Sequence, residues 1–168
     1  MTTRRQFFRL VAGAALAPVA AKAAAILPTV PMLHGDGVHD DTEALNALFR
    51  GDVVEFAEGL KGIGGWYDGP HGPVLHLPRG VYRTTAEVVM ADLPSKSVVE
   101  MGGTEIRADF KAAYGLSIGS KLPGRAVLRI TSAYMAQLQR LRLQWDHGGA
   151  VPASLCATTI FLEDVQPM

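Results

Sequence analysis

The sequence is poor in the residues that cross-link small folds through disulfides or that bind metal ions. Cys156 is its only cysteine, so a disulfide within the chain and a site built from several cysteines are both excluded. The five histidines are scattered without the short spacings of a metal site. There is no Ser-His-Asp signature and no phosphate-binding loop. We therefore expect neither a bound metal ion nor a cofactor.

Charged residues are also few, at 19% of the chain, and 16 basic residues balance 16 acidic ones. Four of the basic residues lie within the first 23 positions, which hold no acidic residue, so the rest of the chain has 12 basic groups against 16 acidic ones. A mildly acidic domain is poorly suited to a polyanion as large as DNA or RNA. We expect no nucleic-acid partner.

No apolar stretch is long enough for stable membrane insertion. The best candidate, Val11–Ala21, is short and rich in alanine and glycine. It follows the pair Arg4-Arg5 and precedes Ala21-Lys22-Ala23, which is the order of a twin-arginine-type export signal. Residues 1–23 are therefore predicted to direct export to the periplasm or the cell exterior. The alternative is an N-terminal arm that is retained, as in an assembled virion.

Residues 24–34 are predicted to form an extended linker, because they hold two prolines and no periodic pattern. Residues 35–168 are predicted to form one folded domain.

The stretch from Gly35 to Phe49 predicts a turn followed by a helix at about 40–50. Asp40 is placed to cap the helix, and Glu43 three residues later would complete a capping box. The apolar residues recur at helical spacing, and Gly51 is a typical stop. These apolar residues are Leu45, Leu48 and Phe49.

After this helix the pattern changes to short strands between glycine- and proline-rich turns. Val53–Leu60 aligns with Val74–Val81, so that Val53 corresponds to Val74, and Val98–Gly103 repeats the start of the pattern. A repeat with the spacing from Val53 to Val74 suits one coil of a β-solenoid.

Further strands are predicted at 126–131, 139–145 and 158–165, where leucine and isoleucine alternate with polar residues. A helix at 133–143 is the competing prediction. The last coil would leave an open strand edge that another chain or subunit must cover.

Three motifs resemble those of the pectate-lyase-like superfamily of single-stranded right-handed β-helices, which includes polygalacturonase-type hydrolases and bacteriophage tailspikes. They are the Gly-Asp-Gly-x-x-Asp-Asp-Thr-x-Ala-Leu run at Gly35–Leu45, the segment Val74–Tyr82 and the segment Met101–Ile106. The resemblance implies a mainly β chain, folded as a short parallel β-helix with an N-terminal capping helix. Its motif residues are Gly35, Asp36, Gly37, Asp40, Asp41 and Thr42.

The catalytic motifs of these relatives are missing. Polygalacturonase-type enzymes carry Asn-Thr-Asp, Asp-Asp and Gly-His-Gly motifs on middle coils, whereas the one Asp-Asp pair here, Asp40-Asp41, lies in the opening motif. The calcium carboxylates and arginine base of pectate lyases have no matching set. We therefore predict no catalytic residues. The resemblance implies a structural or adhesion module like the start of a phage tailspike, forming a homo-oligomer or larger assembly. The alternative is an exported polysaccharide lyase or glycoside hydrolase relative.

The segment 59–73 is predicted to be a long glycine-rich loop, and such loops are often functional. Its aromatic pair could stack on a sugar ring while neighbouring polar groups bond the hydroxyls. The alternative is that the aromatic residues anchor the loop to the body. The candidate sugar-binding residues are Trp66, Tyr67, Asp68 and His71.

Two charged groups complete the candidates. Arg129, Arg140 and Arg142 are predicted to point outward on adjacent coils as a basic stripe for an anionic polysaccharide, or else to be a solvated strand face. Asp36, Asp40 and Asp41 could bind calcium, but turn and helix-cap roles already account for them.

Overall fold

The computed structural model describes residues 29–60, 64–119, 123–149 and 151–165. These residues form thirteen strands and a single helix. In chain order the elements are β1 (Met32–Leu33), β2 (Asp36–Asp40), α1 (Thr42–Arg50), β3 (Glu55–Phe56), β4 (Gly65–Gly69), β5 (Gly72–His76), β6 (Val81–Thr84), β7 (Val88–Met90), β8 (Val98–Glu100), β9 (Glu105–Lys111), β10 (Tyr114–Ile118), β11 (Ala126–Ile130), β12 (Ala136–Asp146) and β13 (Ala153–Leu162). The prediction of a mainly β chain is confirmed. The predicted export signal at 1–23 lies outside the described residues.

Helix α1 closes over the start of the strands. Leu45, Leu48 and Phe49 are all buried, as their spacing predicts. Gly51 adopts the left-handed conformation (φ 83°) and its amide donates to the carbonyl of Leu48 at 3.0 Å, which ends the helix. No helix in the described segments is long and apolar enough to cross a membrane.

The predicted capping box at the start of α1 is wrong. The N-cap residue is Asp41, and its side chain makes no cap hydrogen bond. Asp40 lies one residue earlier, where its Oδ1 accepts a hydrogen bond from the amide of Thr42 at 3.0 Å. The carboxylate of Asp41 is turned into the body instead, because it accepts two backbone amides there.

Most strand pairs are parallel. One series runs β2–β6–β9 and continues to the second half of β12, and another runs β5–β8 to the first half of β12. A separate three-stranded sheet has the order β10–β11–β7, and β1 pairs with β3. Strand β12 bends at Arg140 (φ 56°), so its two halves extend two different series.

Two pairs are antiparallel, so the sheets are mixed and depart from the purely parallel expectation. Strands β4 and β5 form a hairpin, which corrects the prediction of a long loop at 59–73. Strand β13 lies antiparallel along β12, so one edge of the last parallel strand is covered by the chain itself. The competing helix at 133–143 is wrong, because most of that range belongs to β12.

The predicted repeat corresponds to neighbouring strands in its second step, from Val74 to Val98, but not in its first, from Val53 to Val74. Strand β3, which holds the residues that align with part of β5, pairs with β1 instead. Strand β5 pairs with β8, and its Val74 lies opposite Val98. Strands β6 and β9 keep the same step along the chain, with Val81 opposite Glu105. The step between these stacked strands is therefore longer than the predicted step from Val53 to Val74.

The predicted linker also changes. Leu33, which lies within it, belongs to β1 and is fully buried. The folded body therefore begins before Gly35.

The core is a continuous apolar cluster between α1 and the strands. Along β12, Leu141 and Leu143 are buried while Arg140 and Arg142 are exposed, which confirms the predicted alternation. The side chains at the outward positions of β12 therefore form the surface beside this strand.

Candidate functional site

Three chain corners stack on one another beside β12. The corner between β5 and β6 bonds to the next through the amide of Leu77, which donates to the carbonyl of Glu100 at 3.0 Å. The corner between β8 and β9 bonds to the bend of β12 in the same way, from Met101 to Gln139 at 3.0 Å. Because the backbone bonds link successive corners, the side chains on their outer faces lie in one column.

Two glycines shape these corners, one through a close backbone contact and one through open space. A Cβ on Gly80 would lie 2.7 Å from the carbonyl oxygen of Gly35, so no larger residue fits there without a shift. Gly103 has φ 84°, which favours glycine, and a Cβ there would meet nothing within 4 Å. The missing side chain at Gly103 leaves open space on the outer surface.

This open space is a groove made of two adjoining clefts, of about 320 and 390 Å³. Both clefts are lined by Gly103 and Arg142, which is why they adjoin. Arg140 lines the first cleft and Arg79 lines the second. We call the combined feature the arginine groove. Its further lining residues are Gly35, Gly80, Val81, Glu105, Leu141, Cys156, Ala157 and Thr158.

Glu105 holds two arginines at the groove. Its Oε1 accepts a hydrogen bond from Nη2 of Arg107 at 2.8 Å, and its Oε2 forms an ion pair with Arg142, at 3.1 Å from Nε. The Glu105 side chain is only 10% exposed, whereas that of Arg142 is 61% exposed. The largely buried carboxylate therefore holds Nε of Arg142, while most of the Arg142 side chain is exposed to solvent.

Glu100 has a similar role at the neighbouring corner. Its Oε1 lies 3.3 Å from Nη2 of Arg140, and its Oε2 lies 3.5 Å from Nδ1 of His76. The Arg140 side chain is 59% exposed. The groove lining holds three guanidinium groups, those of Arg79, Arg140 and Arg142, and one carboxylate, that of Glu105, so it carries an excess of positive charge and suits an anionic ligand.

Arg129 does not belong to this surface, which corrects the predicted stripe. It lies on β11 in the three-stranded sheet, and its Nε donates to Oε2 of Glu87 at 2.7 Å. The two side chains are only 15% and 7% exposed. Glu87 also accepts the backbone amides of Gly124 and Ala126. This ion pair connects chain segments inside the fold.

The sugar-stacking candidates lie on the β4–β5 hairpin, apart from the groove lining. Trp66 packs against the core, and its indole Nε1 donates to the carbonyl of Leu48 at 3.0 Å, as expected of an anchor. Tyr67 is 45% exposed, and Asp68 and His71 are exposed near the hairpin turn. Carbohydrate binding by these residues stays a prediction.

The opening motif is tied together by its aspartates. The buried carboxylate of Asp41 accepts the amides of His34 at 2.7 Å and Gly35 at 3.1 Å. Burial raises the pKa of Asp41, and these two hydrogen bonds oppose the rise. His34 stacks on the ring of His39, with 4.2 Å between the ring centroids.

Asp36 closes the turn that follows. Its Oδ1 accepts the amides of Val38 and His39, at 2.9 and 3.0 Å, and these bonds lower the pKa of Asp36 well below its ordinary range. Partial burial of Asp40 acts to raise its pKa, but hydrogen bonds from Thr42 and Thr85 lower it overall. The carboxylates of Asp36 and Asp40 therefore have a structural role. Among the described residues no cluster of three or more histidine, cysteine or acidic side chains is arranged to hold a metal ion.

Sequence reasoning missed four of the charged residues at the groove: Arg79, Arg107, Glu100 and Glu105. The signal was the step from Val74 to Val98, which places Arg79 in one corner at the level of Gly103 in the next. The sequence repeat already aligns Val98–Gly103 with the segment that begins at Val74, and extending this alignment as far as Glu105 matches these corners.

No known protein family, curated protein or solved structure matches the chain. The groove and the residues that line it are therefore the basis on which a function is proposed.

Proposed function

We propose that the chain is a non-catalytic structural or adhesion module that binds an anionic surface polysaccharide along the arginine groove. The observation that carries the proposal is the alignment of Arg79, Arg140 and Arg142 along one groove. Guanidinium groups bind carboxylates and sulfates through paired, charge-assisted hydrogen bonds, and a polymer of acidic sugars offers such groups at regular intervals.

We also propose that the fold is a short right-handed parallel β-helix. Parallel pairing at a repeated step along the chain, corners stacked by backbone bonds and a helix over the first strands are features of a short right-handed parallel β-helix. The opening motif resembles that of β-helical phage tailspikes. We therefore place the chain among tailspike-like adhesion modules that assemble with themselves or with a larger partner, after export or within a virion.

Two groove arginines offer the sharpest test. Affinity for polygalacturonate, used as an anionic probe, is measured by calorimetry on the full chain, with dextran as the neutral comparison. Arg140→Gln and Arg142→Gln each remove one exposed charge and should weaken binding about 2- to 5-fold, as expected for solvent-exposed ion pairs.

Arg50→Gln is the matched control. Arg50 is also an exposed arginine paired with a carboxylate, since it contacts Asp52 at 2.8 Å, but it lies on α1. Its substitution should leave the affinity unchanged. Equal losses in all three variants would contradict a role for the groove, and so would equal binding of dextran and polygalacturonate.

A further inference from the structure

Strand β13 has an unpaired outer edge. One edge pairs with β12 along the whole strand, from Ala153 opposite Trp145 to Leu162 opposite Ala136. Within the part of the chain that the structure describes, no strand pairs with the other edge. This edge therefore offers a row of backbone donors and acceptors to a further strand.

The composition of β13 leaves this edge unprotected. Soluble proteins usually guard edge strands with lysines, prolines or bulges. The ten residues from Ala153 to Leu162 contain no charged residue and no proline. Pro152 lies immediately before the strand and Glu163 immediately after it. The stretch without a charged residue or proline is therefore the strand itself.

We propose that β13 pairs with β13 of a second copy, antiparallel about a two-fold axis, and so forms a homodimer. An edge strand is complementary to itself in this arrangement. The uncharged strand brings no like charges together. Antiparallel pairing also sets the two Glu163 residues at opposite ends of the paired strands, whereas parallel pairing would set them side by side.

The register follows from two exposed apolar side chains, one near the end of β13 and one two residues before it begins. Phe161 is 66% exposed and Val151 is 73% exposed. Centring the two-fold axis on Cys156 places Phe161 of one copy opposite Val151 of the other and covers both pairs. This register also sets the two Cys156 residues directly opposite each other.

The dimer would bring two arginine grooves together for polysaccharide binding. This step of the inference rests on the proposed function. Cys156 lies opposite Arg142 in the β12–β13 pair, and both line the arginine groove. Pairing through β13 would continue the sheet from one copy to the next. The two Arg142 residues would then be three strand spacings apart, about 14 Å, so one polysaccharide could contact both grooves.

Sedimentation equilibrium of the full chain, without any polysaccharide, tests the dimer separately from the groove. We expect a reversible dimer. Cys156→Lys sets like charges directly opposite each other and should raise the dissociation constant about fivefold. Ser95→Lys makes a similar change at an exposed position outside β13 and should have no effect. A monomer at every concentration, or equal dissociation constants for the two variants, would overturn the proposal.

Oxidation of the dimer tests the register. Directly opposite residues in an antiparallel pair have Cα atoms about 4.5–5.5 Å apart, which is within the range of a disulfide. Two equivalents of copper(II) phenanthroline should each accept one electron and become copper(I), while the two Cys156 thiols lose two protons and form one disulfide. Cys156→Ser should dimerise without this cross-link. A dimeric wild-type sample that does not cross-link would overturn the pairing proposed here.

Polysaccharide binding and dimer formation can fail independently. A dimer that does not bind polygalacturonate would overturn the proposed function and leave the β13 pairing standing. Binding by a strict monomer, weakened by Arg142→Gln, would support the groove and overturn the dimer.

Discussion

The Nε of Arg142 lies 3.1 Å from Oε2 of Glu105, a carboxylate whose side chain is only 10% exposed. Glu105 also accepts two nitrogens of Arg107, at 2.8 and 3.1 Å. The same carboxylate therefore orients Arg142 and partly neutralises it. This dual role lets substitutions at the groove change stability and ligand affinity in opposite directions.

Glu105→Gln should raise affinity for polygalacturonate and lower stability. Glutamine keeps the shape but removes the negative charge, so Arg142 is no longer neutralised. We expect affinity to rise about 2- to 5-fold by calorimetry and the free energy of unfolding in urea to fall by about 1–3 kcal/mol. Glu43→Gln, at an exposed position on α1, serves as the control. Weaker binding by Glu105→Gln would contradict this account of its role.

Asp41→Asn should destabilise the protein, because the two carboxylate oxygens of Asp41 accept different backbone amides, those of His34 and Gly35. An asparagine has one oxygen, so one amide would face its NH2 group without an acceptor. Urea unfolding at neutral pH should show a loss of about 1–3 kcal/mol. Asp52→Asn, at an exposed carboxylate, should lower the free energy of unfolding far less. Equal losses in the two variants would disprove the role of Asp41 in holding the opening motif together.

Asp36 should contribute to the loss of stability in acid. Its pKa is lowered in the folded state by the amides of His39 and Val38. The stabilisation is therefore present above the ordinary aspartate pKa of 3.8 and is lost as the pH falls below that value. Asp36→Asn cannot titrate, so its melting temperature should fall less than that of the wild type between pH 7 and pH 3. Parallel curves for the two proteins would contradict this assignment.

Arg129→Gln should destabilise the fold without changing polysaccharide binding. The change leaves the carboxylate of Glu87, which is 7% exposed, without its charged partner. We expect a loss of about 2–4 kcal/mol in the free energy of unfolding. Affinity for polygalacturonate should match that of the wild type when measured well below the unfolding transition. Weakened binding would return Arg129 to the basic surface that the sequence predicted.

The sequence predicted those regions of the fold that depend on local patterns. The helical spacing of Leu45, Leu48 and Phe49 and the stop at Gly51 gave α1 nearly to its bounds. Alternation along β12 correctly placed Arg142 outside and Leu143 inside. Each of these features is decided within one turn of helix or a few strand residues.

Features that depend on distant partners were not predictable in the same way. The inward turn of Asp41 depends on two amides before the helix, and the position of Arg129 depends on Glu87, which lies far earlier in the chain. The hairpin of β4 with β5 occupies a stretch whose glycines predict a loop. The arginine groove depends on how the corners stack, and the alignment of Val98–Gly103 with the segment beginning at Val74 sets Arg79 level with Gly103 without showing that Arg140 and Arg142 lie beside them.

The most direct test of the account is the affinity of the full chain for polygalacturonate at low and at high salt, compared between the wild type and Arg142→Gln. Contacts between arginines and an anionic polymer are screened by ions. The account predicts that wild-type affinity falls as salt rises and that Arg142→Gln binds more weakly at low salt, with a smaller decline. Binding that is independent of salt, or identical in the two proteins, would contradict the arginine groove as the polysaccharide site.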